Sequence, residues 1–266
     1  MKLIQKIIQI SRTLLIPCCL LTSCNYLDVI PPAQADFDDT MKDEAATLNF
    51  LFTCYGYIPR VHPFEFKAFE QSADELISPK MWDDYQQQVA WGTIYYNSWG
   101  GDDMNIWTPS YNWLGYVHHF LSLIDELQPT GVTEDDKAQY KAECYFLEAY
   151  YHFRVLQAFG PCPLITEKVD PNITNDQIPG RSHFDYCVNY IVGKLDDAAN
   201  VLPATRSTED LGRATSTICK CLKARVLLYA ASPLWNGSFY KADWQNKNYE
   251  TPDYGKELVS NSYDRE

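Results

Sequence analysis

The sequence predicts an all-α protein, a tetratricopeptide-like helical stack with long irregular loops that are rich in aromatic residues. Apolar residues recur every three or four positions through several long segments, as on the buried face of a helix. Proline and glycine end these segments abruptly. Aromatic and small residues alternate within them, which is typical of helices that pack in pairs. A repeat of about 34 residues is not cleanly present, so the prediction rests on helical periodicity.

Five segments are predicted to be helical, and each ends at or just before a proline or glycine. They span residues 41–57, 103–127, 134–159, 182–203 and 215–231. Ser182 begins the fourth helix, because Asp185 three residues later completes a pattern that resembles a capping box. Trp107 and Tyr111 share one face of the second helix and are assigned to the core. Apolar residues at helical spacing predict the buried face of the fifth helix: Ile218, Leu222, Val226, Leu227 and Ala230.

The first 23 residues have the features of a secretory signal peptide. Lys2, Lys6 and Arg12 precede a short leucine-rich stretch, and no acidic residue interrupts it. Leu21-Thr22-Ser23-Cys24 follows and looks like a lipobox, in which the Cys24 thiol receives a diacylglycerol. We therefore expect a signal peptide over 1–23, an extended leader over 24–40, a helical domain over 41–236 and a polar connector over 237–266.

The charge of the chain excludes some partners. Residues 1–23 carry three basic residues and no acidic one, so their removal changes the net charge from −13 to −16. Such an acidic protein repels nucleic acid and anionic lipid surfaces. We expect no nucleic-acid partner.

Six cysteines remain after Cys24. An even number in an exported protein is compatible with disulfides. Several of the six, however, lie in helical patterns, where cysteine packs as a small apolar side chain. Free buried thiols are therefore favoured, and the disulfide state stays open.

Four stretches resemble, in their order and spacing, the SusD/RagB family of outer-membrane nutrient-binding lipoproteins. They comprise residues 24–32 (CNYLDVIPP), 141–153 (KAECYFLEAYYHF), 159–165 (FGPCPLI), and 212–215 (GRAT) followed by 222–234 (LKARVLLYAASPL). Glu148 departs from the pattern, since arginine is usual there, and His118 and His119 lie where asparagine is common. Members of the family are longer than this chain, so the resemblance implies an N-terminal portion whose connector leads to a C-terminal half.

The resemblance implies a function in nutrient uptake of the Bacteroidetes type. Such proteins are lipid-anchored at the outer membrane, exposed at the cell surface, and bind oligosaccharide without catalysis or a cofactor. They deliver the glycan to a SusC-like TonB-dependent transporter. Two alternatives stay open: a peptide-binding relative with the same fold, and a helical adaptor that has no small ligand.

The irregular segment 74–99 supplies the residue types that sugar binding needs. Pyranose rings stack on flat aromatic faces, and carboxylates and amides bond their hydroxyl groups. The predicted glycan-binding residues are Trp82, Tyr85, Trp91, Tyr96, Asn97, Trp99, Asp74, Asp83 and Asp84. For any single aromatic residue of this set, packing in the protein core is the competing interpretation.

The sequence argues against an enzyme. Glycoside hydrolysis needs two carboxylates that face one bond across about 5–10 Å. The adjacent acidic pairs, such as Asp83 and Asp84, point in different directions on a helix or strand. His118 and His119 are also adjacent, a poor spacing for metal chelation on a helix, and we assign them to a surface or partly buried position. We expect no metal site.

Overall fold

A computed structural model of the chain describes residues 41–58, 92, 106–170, 172–237, 239, 243–247, 252–260 and 262–263. In these ranges all regular structure is helical. The α-helices are α1 (Glu44–Cys54), α2 (Trp107–Ile124), α3 (Glu134–Phe159), α4 (Phe184–Val201) and α5 (Ser216–Ala230), with a short 3-10 helix at Asn175–Gln177. The prediction of an all-α, tetratricopeptide-like stack is confirmed.

Side chains just outside the helices satisfy the backbone groups at their starts. Asp43 accepts a hydrogen bond from the Ala46 amide at the start of α1. Thr133 and Asp136 form a reciprocal capping box at the start of α3, which the sequence analysis did not identify. At α4 the cap is His183, so the prediction that Ser182 caps this helix is wrong.

The longest helix, α3, forms the centre of the stack. It packs against α2 on one side and α4 on the other, and α5 packs against α4. Tyr151 and Phe153 of α3 are almost fully buried, and Leu147 and Leu156 lie with them in one hydrophobic core. Because α3 contributes to both sides of the core, it fixes the positions of α2 and α4.

The exposed face of α5 differs from the prediction. Val226 is buried, but Ile218 and Leu227 are 43% and 45% exposed. The helix packs mainly against α4, so only a narrow stripe of its surface is covered. Helical spacing predicted the helix correctly and overestimated how much of it is buried.

The described part of the segment 237–266 packs beside the start of α4. Leu258 and Val259 are buried, and the Phe184 amide donates a hydrogen bond to the Leu258 carbonyl. The Phe184 ring stacks on Trp235, with ring centroids 4.3 Å apart. Tertiary contacts therefore order this tail without regular secondary structure.

Among the described helices, none combines the length and apolarity that a membrane crossing needs. The six described cysteines all carry free thiols in this structure. Five of them are buried and Cys221 is exposed.

Candidate functional site

The predicted glycan-binding residues and the predicted lipidation site lie outside the described residues, and all of these assignments stay predictions. They are Asp74, Trp82, Asp83, Asp84, Tyr85, Trp91, Tyr96, Asn97, Trp99 and Cys24.

An open cavity runs along the outer face of α2. We call it the α2 groove. It has a volume of about 760 Å³ and lies between α2 and the loop that follows α3. It is lined by Pro109, Tyr111, Asn112, Trp113, Gly115, Tyr116, His118, His119, Ile165, Glu167, Lys168 and Val169. A cavity of this size accommodates a short oligomeric ligand.

Two aromatic side chains of α2 form an apolar surface in the groove. Trp113 and Tyr116 are three residues apart, so they lie side by side on the same face of the helix. Their ring centroids are 5.0 Å apart and the rings are inclined by 40°. Tyr116 is 46% exposed. Such a pair offers ring faces on which an apolar patch of a ligand can stack.

A glycine makes room for the Trp113 ring. A Cβ atom added to Gly56, just after α1, would lie 2.6 Å from the Cη2 atom of Trp113. The indole therefore lies directly against the backbone of the turn that ends α1. This contact fixes the position of one wall of the α2 groove.

The rim of the groove is polar. Asn112, Glu167 and Lys168 are exposed there. Together they supply an amide, a carboxylate and an ammonium group, which are able to accept and donate hydrogen bonds. The groove thus combines an apolar ring surface with charged and neutral bonding partners.

Two buried histidines hold the loop that forms the second wall. The Ile165 amide donates to Nε2 of His152 at 3.1 Å, and Nε2 of His118 donates to the Ile165 carbonyl at 2.8 Å. Nδ1 of His152 bonds the Glu148 carbonyl at 2.9 Å, so His152 is neutral with its proton on Nδ1. Both backbone groups of Ile165 are therefore fixed to α2 and α3.

Burial keeps these histidines neutral. It lowers the pKa of His152 to about 3 and also lowers the pKa of His118. The prediction that His118 lies at a surface or partly buried position is wrong, because the residue is only 3% exposed. His119 is partly buried, as predicted. The buried face of α2 extends to His118 because its imidazole bonds the loop.

Glu148 lies beneath this loop with partners from α4. The hydroxyl group of Tyr190 donates to the Glu148 carboxylate, and the Lys194 ammonium group lies 3.0 Å from it. Nε2 of His118 is 3.7 Å from the same carboxylate. Since Glu148 is fully buried, these partners offset the cost of placing a charge in the core. The acidic residue that departs from the family pattern thus has a cationic partner on the neighbouring helix.

A second buried carboxylate, Glu143, lies in a separate cluster. It accepts hydrogen bonds from Arg206 at 2.9 Å, from Arg213 at 2.6 Å and from the hydroxyl group of Tyr55 at 2.7 Å. Burial would lower the pKa of Arg213, but the Glu143 carboxylate outweighs burial and raises it. These contacts connect α3 to the loop before α5, and we assign the cluster to structure.

The described residues do not contain a group of side chains arranged to hold a metal ion. Sequence reasoning did not single out Trp113 and Tyr116, and it assigned Tyr111 to the core. Tyr111 does pack against the core, and its hydroxyl group donates to the Pro163 carbonyl at 2.8 Å, but it also lines the groove. The available signal was a pair of aromatic residues three positions apart, off the apolar stripe of α2.

The chain is similar to proteins of known family and structure. A family model, SusD-like, described as "Starch-binding associating with outer membrane", matches residues 25–228. The solved structure of BT4246 is 41% identical, with a TM-score of 0.72, and the alignment covers 84% of this chain and 37% of that one. No curated protein matches the chain.

Two further structures share the fold. A SusD-like protein from Bacteroides fragilis is 23% identical with a TM-score of 0.60, over 74% of this chain and 37% of that one. A laminarin binding SusD-like protein is 20% identical with a TM-score of 0.60, over 77% of this chain and 45% of that one. The chain therefore spans less than half the length of these relatives. Because the family model matches most of the sequence, the chain belongs to the SusD-like family.

Proposed function

We propose that this protein binds oligosaccharide without catalysis, at the outer membrane, and delivers it to a SusC-like TonB-dependent transporter. The observation that carries the proposal is the Trp113–Tyr116 ring pair that lines the α2 groove, within a chain of the SusD-like family.

The residues of the groove suit a carbohydrate. A pyranose ring presents apolar C–H patches on its faces and hydroxyl groups around its edge. The two aromatic rings match the faces, while Asn112, Glu167 and Lys168 match the hydroxyl groups. Hydrogen bonds that involve charged groups contribute about 1.5–3 kcal/mol each. A small number of such hydrogen bonds is therefore enough to bind a glycan weakly and reversibly.

The predicted residues of segment 74–99 belong to the same proposal. Trp82, Trp91 and Trp99 supply further ring faces, and the neighbouring aspartates supply acceptors. A long glycan contacts more than one set of rings at once, which raises the overall affinity without a tight single contact.

The proposed location rests on the N-terminal sequence and the family description. The predicted signal peptide, residues 1–23, ends directly before Cys24, and lipid chains on that residue would anchor the protein stably when more than one is present. The matched family associates with the outer membrane. We infer a lipid-anchored protein at the cell surface, where the glycan is encountered before import.

A comparison of variants tests glycan binding at the groove. We expect Trp113→Ala combined with Tyr116→Ala to weaken binding to at least one member of a polysaccharide panel about tenfold, a loss of about 1.4 kcal/mol. Calorimetry or affinity electrophoresis provides the measurement. Tyr186→Ala is the matched control, because Tyr186 is 61% exposed on α4 and does not line the groove.

A second variant tests the predicted segment. Alanine at Trp82, Trp91 and Trp99 together is expected to reduce glycan retention further. If neither variant changes retention, both proposed contact surfaces are wrong. If the wild-type protein binds peptides from a peptide panel and no glycan, the peptide-binding alternative replaces this proposal. Absence of binding to either panel favours the helical adaptor.

A further inference from the structure

We propose that four buried cysteines form two disulfide cross-links in the exported protein, Cys162 with Cys187 and Cys54 with Cys144, while Cys219 and Cys221 stay reduced. The proposal rests on export to the cell envelope, which is part of the proposed function. It goes beyond that function by assigning two covalent modification sites.

The first pair joins the turn after α3 to the first turn of α4. The Sγ atom of Cys187 lies 3.6 Å from the backbone carbonyl oxygen of Cys162, so the two residues are in direct contact. The Ser182 amide donates to the same carbonyl at 3.0 Å, which keeps the two segments together. Both cysteines are fully buried in one core cluster, so the native packing holds the two residues together away from solvent.

The second pair joins α1 to α3. Cys54 is the last residue of α1, and it is buried in the same core cluster as Cys144 of α3. The hydroxyl group of Tyr151, two turns further along α3, donates to the Cys54 carbonyl and fixes the end of α1 against α3. Both cysteines are fully buried. This arrangement places the two sulfur atoms on facing elements that are already in contact.

The remaining cysteines lack this arrangement. Cys219 and Cys221 are two residues apart on α5, a spacing that directs their side chains away from each other. Cys219 is buried and Cys221 is exposed, so they face different environments.

The oxidation proceeds by thiol–disulfide exchange during folding. The thiolate of one cysteine attacks the disulfide of an envelope thiol oxidoreductase, which forms a mixed disulfide and releases one thiolate of the oxidant. The second cysteine of the pair then attacks the first, and the other oxidant thiolate leaves. Each pair of protein thiols thus loses two electrons and two protons, and the oxidant's disulfide becomes a dithiol.

The cross-links would restrain the two walls of the α2 groove. Cys162 lies three residues before Ile165, which lines the groove, and Cys54 lies two residues before Gly56, on which the Trp113 ring rests. A disulfide stabilises a fold mainly by restricting the unfolded chain. We expect reduction of both cross-links to lower the thermal midpoint by about 10–30 °C in the full chain.

Differential alkylation of protein recovered from the outer-membrane fraction tests the cross-links. The sample is unfolded in iodoacetamide without reductant, then reduced and labelled with N-ethylmaleimide, and the peptides are identified by mass spectrometry. The maleimide label is expected on Cys54, Cys144, Cys162 and Cys187, and the acetamide label on Cys219 and Cys221. Unreduced digests should contain the two linked peptides, each lighter by two hydrogens than the sum of its parts.

Single variants confirm the partners. Cys187→Ala should transfer Cys162 to the acetamide label and leave the other pair oxidised, whereas Cys221→Ser should change neither pair. The acetamide label on both members of either pair in the wild-type protein would overturn the proposal. Glycan binding is measured on the same preparation, so failure of the cross-links is distinguishable from failure of the proposed function.

Discussion

The neutral, buried state of His152 predicts a specific loss of stability in acid. In the folded protein its pKa is about 3, whereas an unperturbed histidine has a pKa of 6.5. Between these values the unfolded chain binds a proton that the folded chain does not bind. The stabilising contribution is therefore complete above pH 6.5 and is lost as the pH falls toward 3.

The magnitude follows from the two pKa values. Protonation of His152 in the unfolded chain lowers the free energy of unfolding by about 2 kcal/mol between pH 8 and pH 5. The total loss reaches about 5 kcal/mol once the pH is below 3. Lys194 and His118 face the same site, and the positive charge of Lys194, or of His118 once it is protonated, also lowers the pKa of His152. The effect is large against the total stability of a typical domain, about 5–15 kcal/mol.

The assay compares the wild-type protein with His152→Gln by urea unfolding at pH 8 and pH 5. An amide side chain still donates and accepts hydrogen bonds but does not titrate. We expect the free energy of unfolding of the wild-type protein to fall by about 2 kcal/mol more than that of the variant. Other titrating groups contribute to both proteins, so most of their effect cancels in the difference.

Two results would refute this reasoning. One is equal pH dependence of the two proteins. The other is an NMR titration in which the imidazole resonances of His152 in the folded protein change with a midpoint near the unperturbed value. Either result would mean that the hydrogen bonds with Ile165 and Glu148 do not keep the imidazole neutral.

Other expected outcomes concern a buried charge, a strained turn and the anchor. Glu143→Gln removes the buried carboxylate that Arg206 and Arg213 share and leaves Arg213 with Asp210 alone, so urea denaturation should show a loss of about 3–5 kcal/mol. Gly160→Ala should cost about 1–3 kcal/mol and lower the thermal midpoint, because Gly160 has a φ of +68° and the new Cβ would lie 2.6 Å from Trp235. Cys24→Ala should release the protein from membranes into the soluble fraction, and continued membrane association would contradict lipidation.

Local sequence signals predicted the helices well where they agreed with tertiary packing. The helix predicted over residues 134–159 has those bounds in the structure, because a capping box begins it and Gly160 ends it. The fourth helix begins later than predicted, since His183 rather than Ser182 bonds the first turn. More than one side chain near a helix start is able to accept a hydrogen bond from the first-turn amides. Which one does so depends on local geometry that residue spacing alone does not determine.

The α2 groove illustrates a different limit. Trp113 and Tyr116 are visible in the sequence as two aromatic residues on a helix, but nothing local shows that they face a cavity. That depends on the loop at Ile165, which is placed by His152 on another helix. A residue's exposure is decided by which distant segment covers it, and in this chain the segment is more than 40 positions away.

The sequence by itself determined the helical class, the main helices, the acidic charge and the family resemblance, because periodicity, capping residues and composition are local properties. Only the tertiary structure decided which charges are buried together and which cysteines lie in the core. Glu143 pairs with Arg213 across 70 positions, and Glu148 with Lys194 across two helices. Such pairings depend on how the helices pack in three dimensions, and that geometry arises from all contacts of the core at once.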